Sequence, residues 1–191
     1  MRPDGSLVVD EVIAFSFVGD FSGAYREIPL REGESLDQVF VAEGDRQYTG
    51  GACAELGCSS PPGTFGTTRT GDGIRIVWHY RAANEPRRFR VHYRLRGLAV
   101  AYDDVVDVNL QVWGDEWEVG LDQLTSTLVA PGEIVRAWGH PVRVRGDVTI
   151  DGSRVDLRAE RIGAGQFVEL RALVPRRFFT STEGMKVVGG L

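Results

Sequence analysis

Phe89-Arg90-Val91-His92-Tyr93-Arg94-Leu95 is the stretch on which the fold turns. Phe89, Val91, Tyr93 and Leu95 take alternate positions, and Arg88, Arg90, His92, Arg94 and Arg96 fill those between and beside them. A period of two is what a strand with one buried and one wetted face requires; a helix would space its apolar residues three and four apart. Just upstream, Ile74, Ile76, Trp78 and Tyr80 share one side of a second such run. The two runs are joined by Ala82-Ala83-Asn84-Glu85-Pro86, which predicts a hairpin.

The same period extends outward in both directions. Leu7, Val9, Ile13, Phe15 and Phe17 alternate with other residues, interrupted by Glu11. Val106, Val108, Leu110 and Val112 alternate with Asp107, Asn109 and Gln111. Further strands are expected at 119–129, 143–150, 154–161 and 166–174, with Asp151-Gly152 as the strongest hairpin turn. The 24 glycines and 8 prolines punctuate these runs about every ten residues, the spacing of a sandwich or barrel. The best helical candidate is a single turn near Glu34–Gln38.

The expected fold is therefore all-β, with very little helix. Antiparallel strands build two tandem β-sandwich-like, immunoglobulin-like halves. Gly114-Asp115-Glu116 interrupts the alternation, which places a boundary near residues 114–118. The halves would be 1–115 and a smaller 116–180, with the polar, glycine-rich 181–191 starting a linker. Residues 50–73, rich in Gly, Ser, Thr and Pro, read as a long loop.

Composition narrows the function classes. The chain has 191 residues, 42 % hydrophobic and 26 % charged, enough for a real core and too apolar for disorder. A net charge of −5 argues against nucleic acid as a partner. The longest apolar runs, such as Leu98–Tyr102, fall far short of the roughly 20 residues of a membrane span. Met1 is followed by polar Arg2-Pro3-Asp4-Gly5, which has no signal-peptide pattern and suggests a trimmed domain. Cys53 and Cys58 lie too far in sequence from His79, His92 and His140 to suggest a zinc site. A loop disulfide is expected if the chain is exported; two free thiols is the alternative for a cytosolic chain.

Four constellations could carry chemistry. No Gly-x-Ser-x-Gly elbow surrounds a serine, and His140 in Trp138-Gly139-His140-Pro141 reads as a corner residue. Asp103, Asp104, Asp107, Asp115 and Glu116 form the densest acidic region, but without the spacing of a calcium loop. Trp113 and Trp117 fit a sugar platform or, more commonly, a buried core pair. The fourth is the arginine stripe. In a hairpin, Arg75, His79, Arg81, Arg88, Arg90, His92, Arg94 and Arg96 would share one outer face. Like charges side by side on adjacent strands are destabilising. Such a face needs counter-charges, either internal (Asp10, Glu11, Glu27, Asp107, Glu160) or from an anionic ligand suited to the guanidinium fork.

Four segments resemble a known family: Phe17–Leu30, Tyr93–Asp104, Asn109–Trp117 with its Trp-Gly-Asp-x-Trp, and Gly163–Leu170. They are similar to the extracytoplasmic part of bacterial predicted membrane proteins of the domain of unknown function 2207 family. The resemblance covers about Ser6 to Gly184. It implies a β-rich ectodomain on the extracytoplasmic face of the bacterial cell membrane, anchored by spans outside this chain. It brings no catalytic residue. The expectation is a non-enzymatic binding or assembly module without cofactor or metal. Its ligand would be a protein, a lipid headgroup or an anionic envelope polymer, met through Arg75, Arg88, Arg90, Arg94, Arg96 and His92 or through the 50–73 loop. The alternatives are an envelope hydrolase or transferase built on the Asp103–Glu116 loop, and a purely structural spacer.

Overall fold

The computed structural model describes residues 1–141 and 146–189. Apart from a 3-10 turn at Arg176–Phe178, every regular element among the described residues is a strand. The chain divides into two compact units, Val8–Leu95 and Met1–Leu7 with the chain from Arg96 onward.

Eight strands build the first unit: β1 (Leu7–Ser16), β2 (Asp20–Pro29), β3 (Ser35–Glu43), β4 (Arg46–Gln47), β5 (Thr49–Gly50), β6 (Thr64–Arg69), β7 (Gly73–Ala83) and β8 (Pro86–Arg96). They form two four-stranded sheets, ordered β1-β8-β3-β4 and β2-β7-β6-β5. The sheets meet through the alternate residues that the sequence marks as apolar. Phe89 on β8 lies 5.7 Å from the Trp78 ring and 4.7 Å from the Tyr80 ring on β7. Phe89, Trp78, Val91 and Ile76 are completely buried.

Strands β7 and β8 are thus consecutive but lie in different sheets, and the expected hairpin does not form. Only Asn84 and Glu85 separate them, and Asn84 adopts φ 50°. The chain arches from one sheet into the other, so Trp78 and Tyr80 bury against Phe89 face to face. Two one-sided apolar strands bury more surface across a sandwich than side by side in one sheet.

Three local expectations also change. The turn near Glu34–Gln38 is the start of β3, and Gln38 has φ 54°. The 50–73 segment is not one loop, because β6 pairs along β7 from Thr64↔His79 to Arg69↔Ile74. Its remainder, 51–63, carries the Cys53–Cys58 disulfide, with Cα atoms 6.2 Å apart. This loop packs over the outer face of its sheet. His79, expected on a wetted face, is 4 % exposed, and its Nε2 lies 2.9 Å from the Cys53 carbonyl oxygen. A Cβ on Gly66 would stand 2.0 Å from the Ala52 carbonyl oxygen, so only glycine lets the loop lie this close.

The second unit contains β9 (Ala99–Ala101), β10 (Val105–Trp113), β11 (Leu121–Val129), β12 (Arg136–His140), β13 (Gly146–Asp151), β14 (Arg154–Ile162), β15 (Val168–Pro175) and β16 (Met185–Val187). One sheet runs β12-β15-β10-β9-β16 and the other β11-β14-β13. Val106↔Val174, Val108↔Ala172 and Leu110↔Leu170 are paired across β10 and β15, five of the six buried. The Asp151-Gly152 hairpin forms as expected, with Asp151↔Arg154 paired and Gly152 at φ 56°. The predicted strand from Arg143 lies partly outside the described residues, which resume at Gly146.

The boundary expected near 114–118 would sever β10 from β15. Gly114-Asp115-Glu116 is a turn inside this unit, and the division falls at Leu95/Arg96. The tail is more than a linker: Met185–Val187 pairs parallel with Ala99–Ala101, and Met185 is buried. This and the short β5–β6 pair are parallel exceptions to the antiparallel pattern.

Candidate functional site

Strand alternation fixes where each predicted arginine points, and the arch between β7 and β8 splits the stripe. Arg75 lies on the outer face of the β2-β7-β6 sheet. It faces Glu27, its register partner, with Nε 2.6 Å from Oε1, and its guanidinium covers the Tyr25 ring at 5.8 Å. Arg88, Arg90, His92 and Arg94 lie on the outer face of the opposite sheet. Arg96 ends β8 and belongs to the second unit, 3.8 Å from Asp4 Oδ2. The expected single basic surface is therefore divided between the outer faces of two sheets.

The face around β8 is the best-defined cluster. Asp10 of β1 holds two of its residues through one oxygen. Arg90 Nε donates to Oδ1 at 2.7 Å, and His92 Nδ1 is 2.9 Å from the same atom. Phe40 of β3 stacks on the His92 ring at 4.2 Å and 15°, with the Arg90 guanidinium 5.7 Å from its centroid. Partial desolvation pushes the Asp10 carboxyl up, but hydrogen bonds and charge from Arg90 and His92 outweigh it and hold its pKa below the ordinary value. Arg88 is exposed and has no ion pair or side-chain hydrogen bond among the described residues. Arg94 is half-buried. The result is a patch of guanidinium, imidazole and aromatic groups in mutual contact.

Two polar clusters escaped the sequence reading. Glu11 points between the sheets, where Arg26 Nε donates to it at 3.0 Å and the Tyr93 hydroxyl at 2.5 Å. Arg87 binds Glu43, donates to Glu85 at 3.1 Å and covers Tyr80 and Phe89. Tyr48 donates to the same Glu43 at 3.1 Å. The signal was present: Glu11 and Arg87 stand in the apolar phase of their strands. A charge in that phase calls for a buried partner.

The acidic region does not converge. Asp103 and Asp104 precede β10, while Asp115 and Glu116 follow it. Its nine residues span roughly 30 Å at the rise of an extended strand, against the ~10 Å or less between paired catalytic carboxylates. Asp107 is engaged by Arg171, whose Nη2 lies 2.6 Å from Oδ2. Trp113 is buried and Trp117 stacks on it at 4.5 Å and 6°, which covers one face of each ring. His140 ends β12 and lines a cavity of about 280 Å³ with Trp138 and Leu157. Among the described residues no group of three or more His, Cys, Asp or Glu stands close enough to hold a metal ion. Among them, no helix is long and apolar enough to cross a membrane.

No curated protein and no solved structure matches the chain. A family profile does, over residues 1–174, which takes in the whole Val8–Leu95 unit, most of the other, and the segments Phe17–Leu30, Tyr93–Asp104 and Asn109–Trp117. The chain belongs to the predicted membrane protein (DUF2207) N-terminal domain family.

Proposed function

We propose that this protein is the extracytoplasmic binding or assembly module of a membrane-anchored protein, and that it meets an acidic partner through the outer face of β8. The observation that carries this reading is the cluster at Asp10. Arg90, His92 and Phe40 are fixed in one geometry on rigid strands, so little side-chain freedom is lost when a ligand arrives. The one carboxylate between Arg90 and His92 leaves guanidinium donors turned to solvent, and Arg88 extends the patch. Membership in a family of predicted membrane proteins supports the anchored setting. The Cys53–Cys58 disulfide supports an oxidising compartment.

Retention of the protein on immobilised polyglutamate and on a polyuronate, at low and high salt, tests the reading. Salt-sensitive retention that falls in Arg90→Ser and Arg88→Ser supports it. A structural spacer is the second reading, favoured by the internal pairing of Arg75, Arg90 and Arg96. Absence of retention on both polymers would overturn the binding face in its favour.

A further inference from the structure

The turn between β1 and β2 projects apolar side chains from one end of the Val8–Leu95 unit. Val18 is 86 % exposed and Phe21 44 % exposed. Singly exposed apolar residues are ordinary, but these two flank a continuous aromatic stack. Phe21 packs on Phe17 at 4.8 Å, and Phe17 packs on the buried Tyr80 at 5.3 Å. The tip is thus rooted in the core and is also braced. Gly19 N–H donates to Asn84 Oδ1 at 2.8 Å, Asn84 N–H returns a bond to the Gly19 carbonyl at 3.2 Å, and Phe17 N–H donates to the Glu85 carbonyl at 3.1 Å. Gly19 at φ 99° makes the turn possible.

Charge around the tip is arranged by the same arch. Glu43 and Glu85 are both turned onto Arg87. That leaves Asp20 as the acid at the turn itself. Arg81 stands three residues before Asn84 and Arg88 three after Glu85. Both are exposed and have no ion pair among the described residues. An apolar point with guanidinium groups behind it is the layout of an interfacial membrane contact. Apolar side chains enter the boundary of headgroups and acyl chains while arginines meet the phosphates.

We propose that this turn is a membrane-docking tip. Val18 and Phe21 enter the bilayer interface, and Arg81 and Arg88 bind lipid phosphate. The occupant is a bilayer rather than a second protein because the family is one of predicted membrane proteins and the apolar surface is a projecting point, not a flat patch. The tip shares Arg88 with the β8 face, but Val18, Phe21 and Arg81 belong to the tip and Arg90 and His92 to the face, so either can fail without the other.

Flotation of the protein with phosphatidylcholine vesicles, with and without phosphatidylglycerol, tests the proposal. The protein is expected to float with the mixed vesicles. Val18→Asp, a change at a side chain in open solvent, should lower partitioning about tenfold or more. Each of Arg81→Ser and Arg88→Ser should lower it about fivefold. Arg90→Ser, which weakens retention on polyglutamate under the reading above, should leave flotation unchanged. Wild-type protein that stays with the aqueous phase, or Val18→Asp protein that floats as well as wild type, would overturn the tip. A dimer in sedimentation that Val18→Asp dissociates would assign the turn to self-association instead. Unchanged flotation of both arginine variants would remove the phosphate contact from the proposal.

Discussion

The Tyr93 hydroxyl donates to Glu11 at 2.5 Å between the two sheets of the Val8–Leu95 unit, where Tyr93 is 1 % exposed. Glu11 also holds Arg26, itself 4 % exposed, so one carboxylate satisfies two buried groups on different strands. Removing the carboxylate alone takes a charged acceptor from a buried guanidinium and a buried hydroxyl, although Arg26 keeps its bond to the Glu27 carbonyl. Glu11→Ala should cost about 3–5 kcal/mol, whereas replacing both partners with apolar residues, Glu11→Leu with Arg26→Leu, should recover much of that. Denaturant unfolding of Glu11→Ala and of the double variant checks this. Equal losses in Glu11→Ala and the double variant would show that the cluster is not a coupled unit.

A second carboxylate ties stability to pH. Hydrogen bonds from Arg87 hold Glu43 below its usual 4.5, against a smaller upward push from desolvation. A carboxyl whose folded pKa is depressed binds fewer protons than in the unfolded chain. Its stabilisation is complete above the unfolded value and is lost as pH falls through the folded one. Asp10, depressed by Arg90 and His92 despite its own desolvation, acts in the same direction below its usual 3.8. Urea midpoints should therefore decline as pH drops below about 4.5, and Glu43→Gln should flatten that decline. An identical acid slope in Glu43→Gln would remove Arg87–Glu43 from the explanation.

Much of this was legible in the chain, for reasons that also mark where legibility stops. The alternation at Phe89–Leu95 assigns a strand and says which side chains point inward, and Phe89, Val91, Tyr93 and Leu95 are all buried. It does not say which strand lies beside it. A link as short as Asn84-Glu85 serves a hairpin or an arch equally well, and the difference is a long-range choice that buries Trp78 and Tyr80 against Phe89. That choice broke the arginine stripe, since Arg75 and Arg90 each follow the outer face of a different sheet. The division at Leu95/Arg96 was invisible because continuous strand β8 crosses it, while the conspicuous Gly114 turn lies inside one unit. Glu11 interrupts the alternation and is a candidate counter-charge for the arginine stripe, but its place in the apolar phase points inward, to Arg26.

At alkaline pH the tyrosines should report the same interior. Burial, and then the charge of Glu43, raise the Tyr48 phenol to about 12. Burial also pushes Tyr80 and Tyr93 upward, with Glu11 adding to the shift at Tyr93. The fold favours the neutral phenol, so this contribution is complete below the unfolded value near 10 and is lost as pH rises through the folded one. Tyrosinate absorbance should therefore show a protected fraction of the five tyrosines that ionises only as the circular dichroism signal is lost. Ionisation of all five near their ordinary value with the fold intact would contradict the buried phenols.

The disulfide loop gives the last expectation. Its closure is short, with a sequence separation of five residues, so the loss on opening it is modest, about 2 kcal/mol on chain-entropy grounds. The local effect should be larger than the global one. The Cys53 carbonyl that meets His79 belongs to this loop, and the loop lies against Gly66. Changing both cysteines to serine should leave the sheets intact but raise the reactivity of His79 toward diethyl pyrocarbonate. Gly66→Ala should do the same with the disulfide still closed, because its methyl group would meet the Ala52 carbonyl oxygen at 2.0 Å and displace the loop. The two variants separate the bond from the packing. If His79 stays protected in the cysteine variant but not in Gly66→Ala, contact with the sheet alone orders the loop. If both leave it protected, the loop is not what buries this histidine.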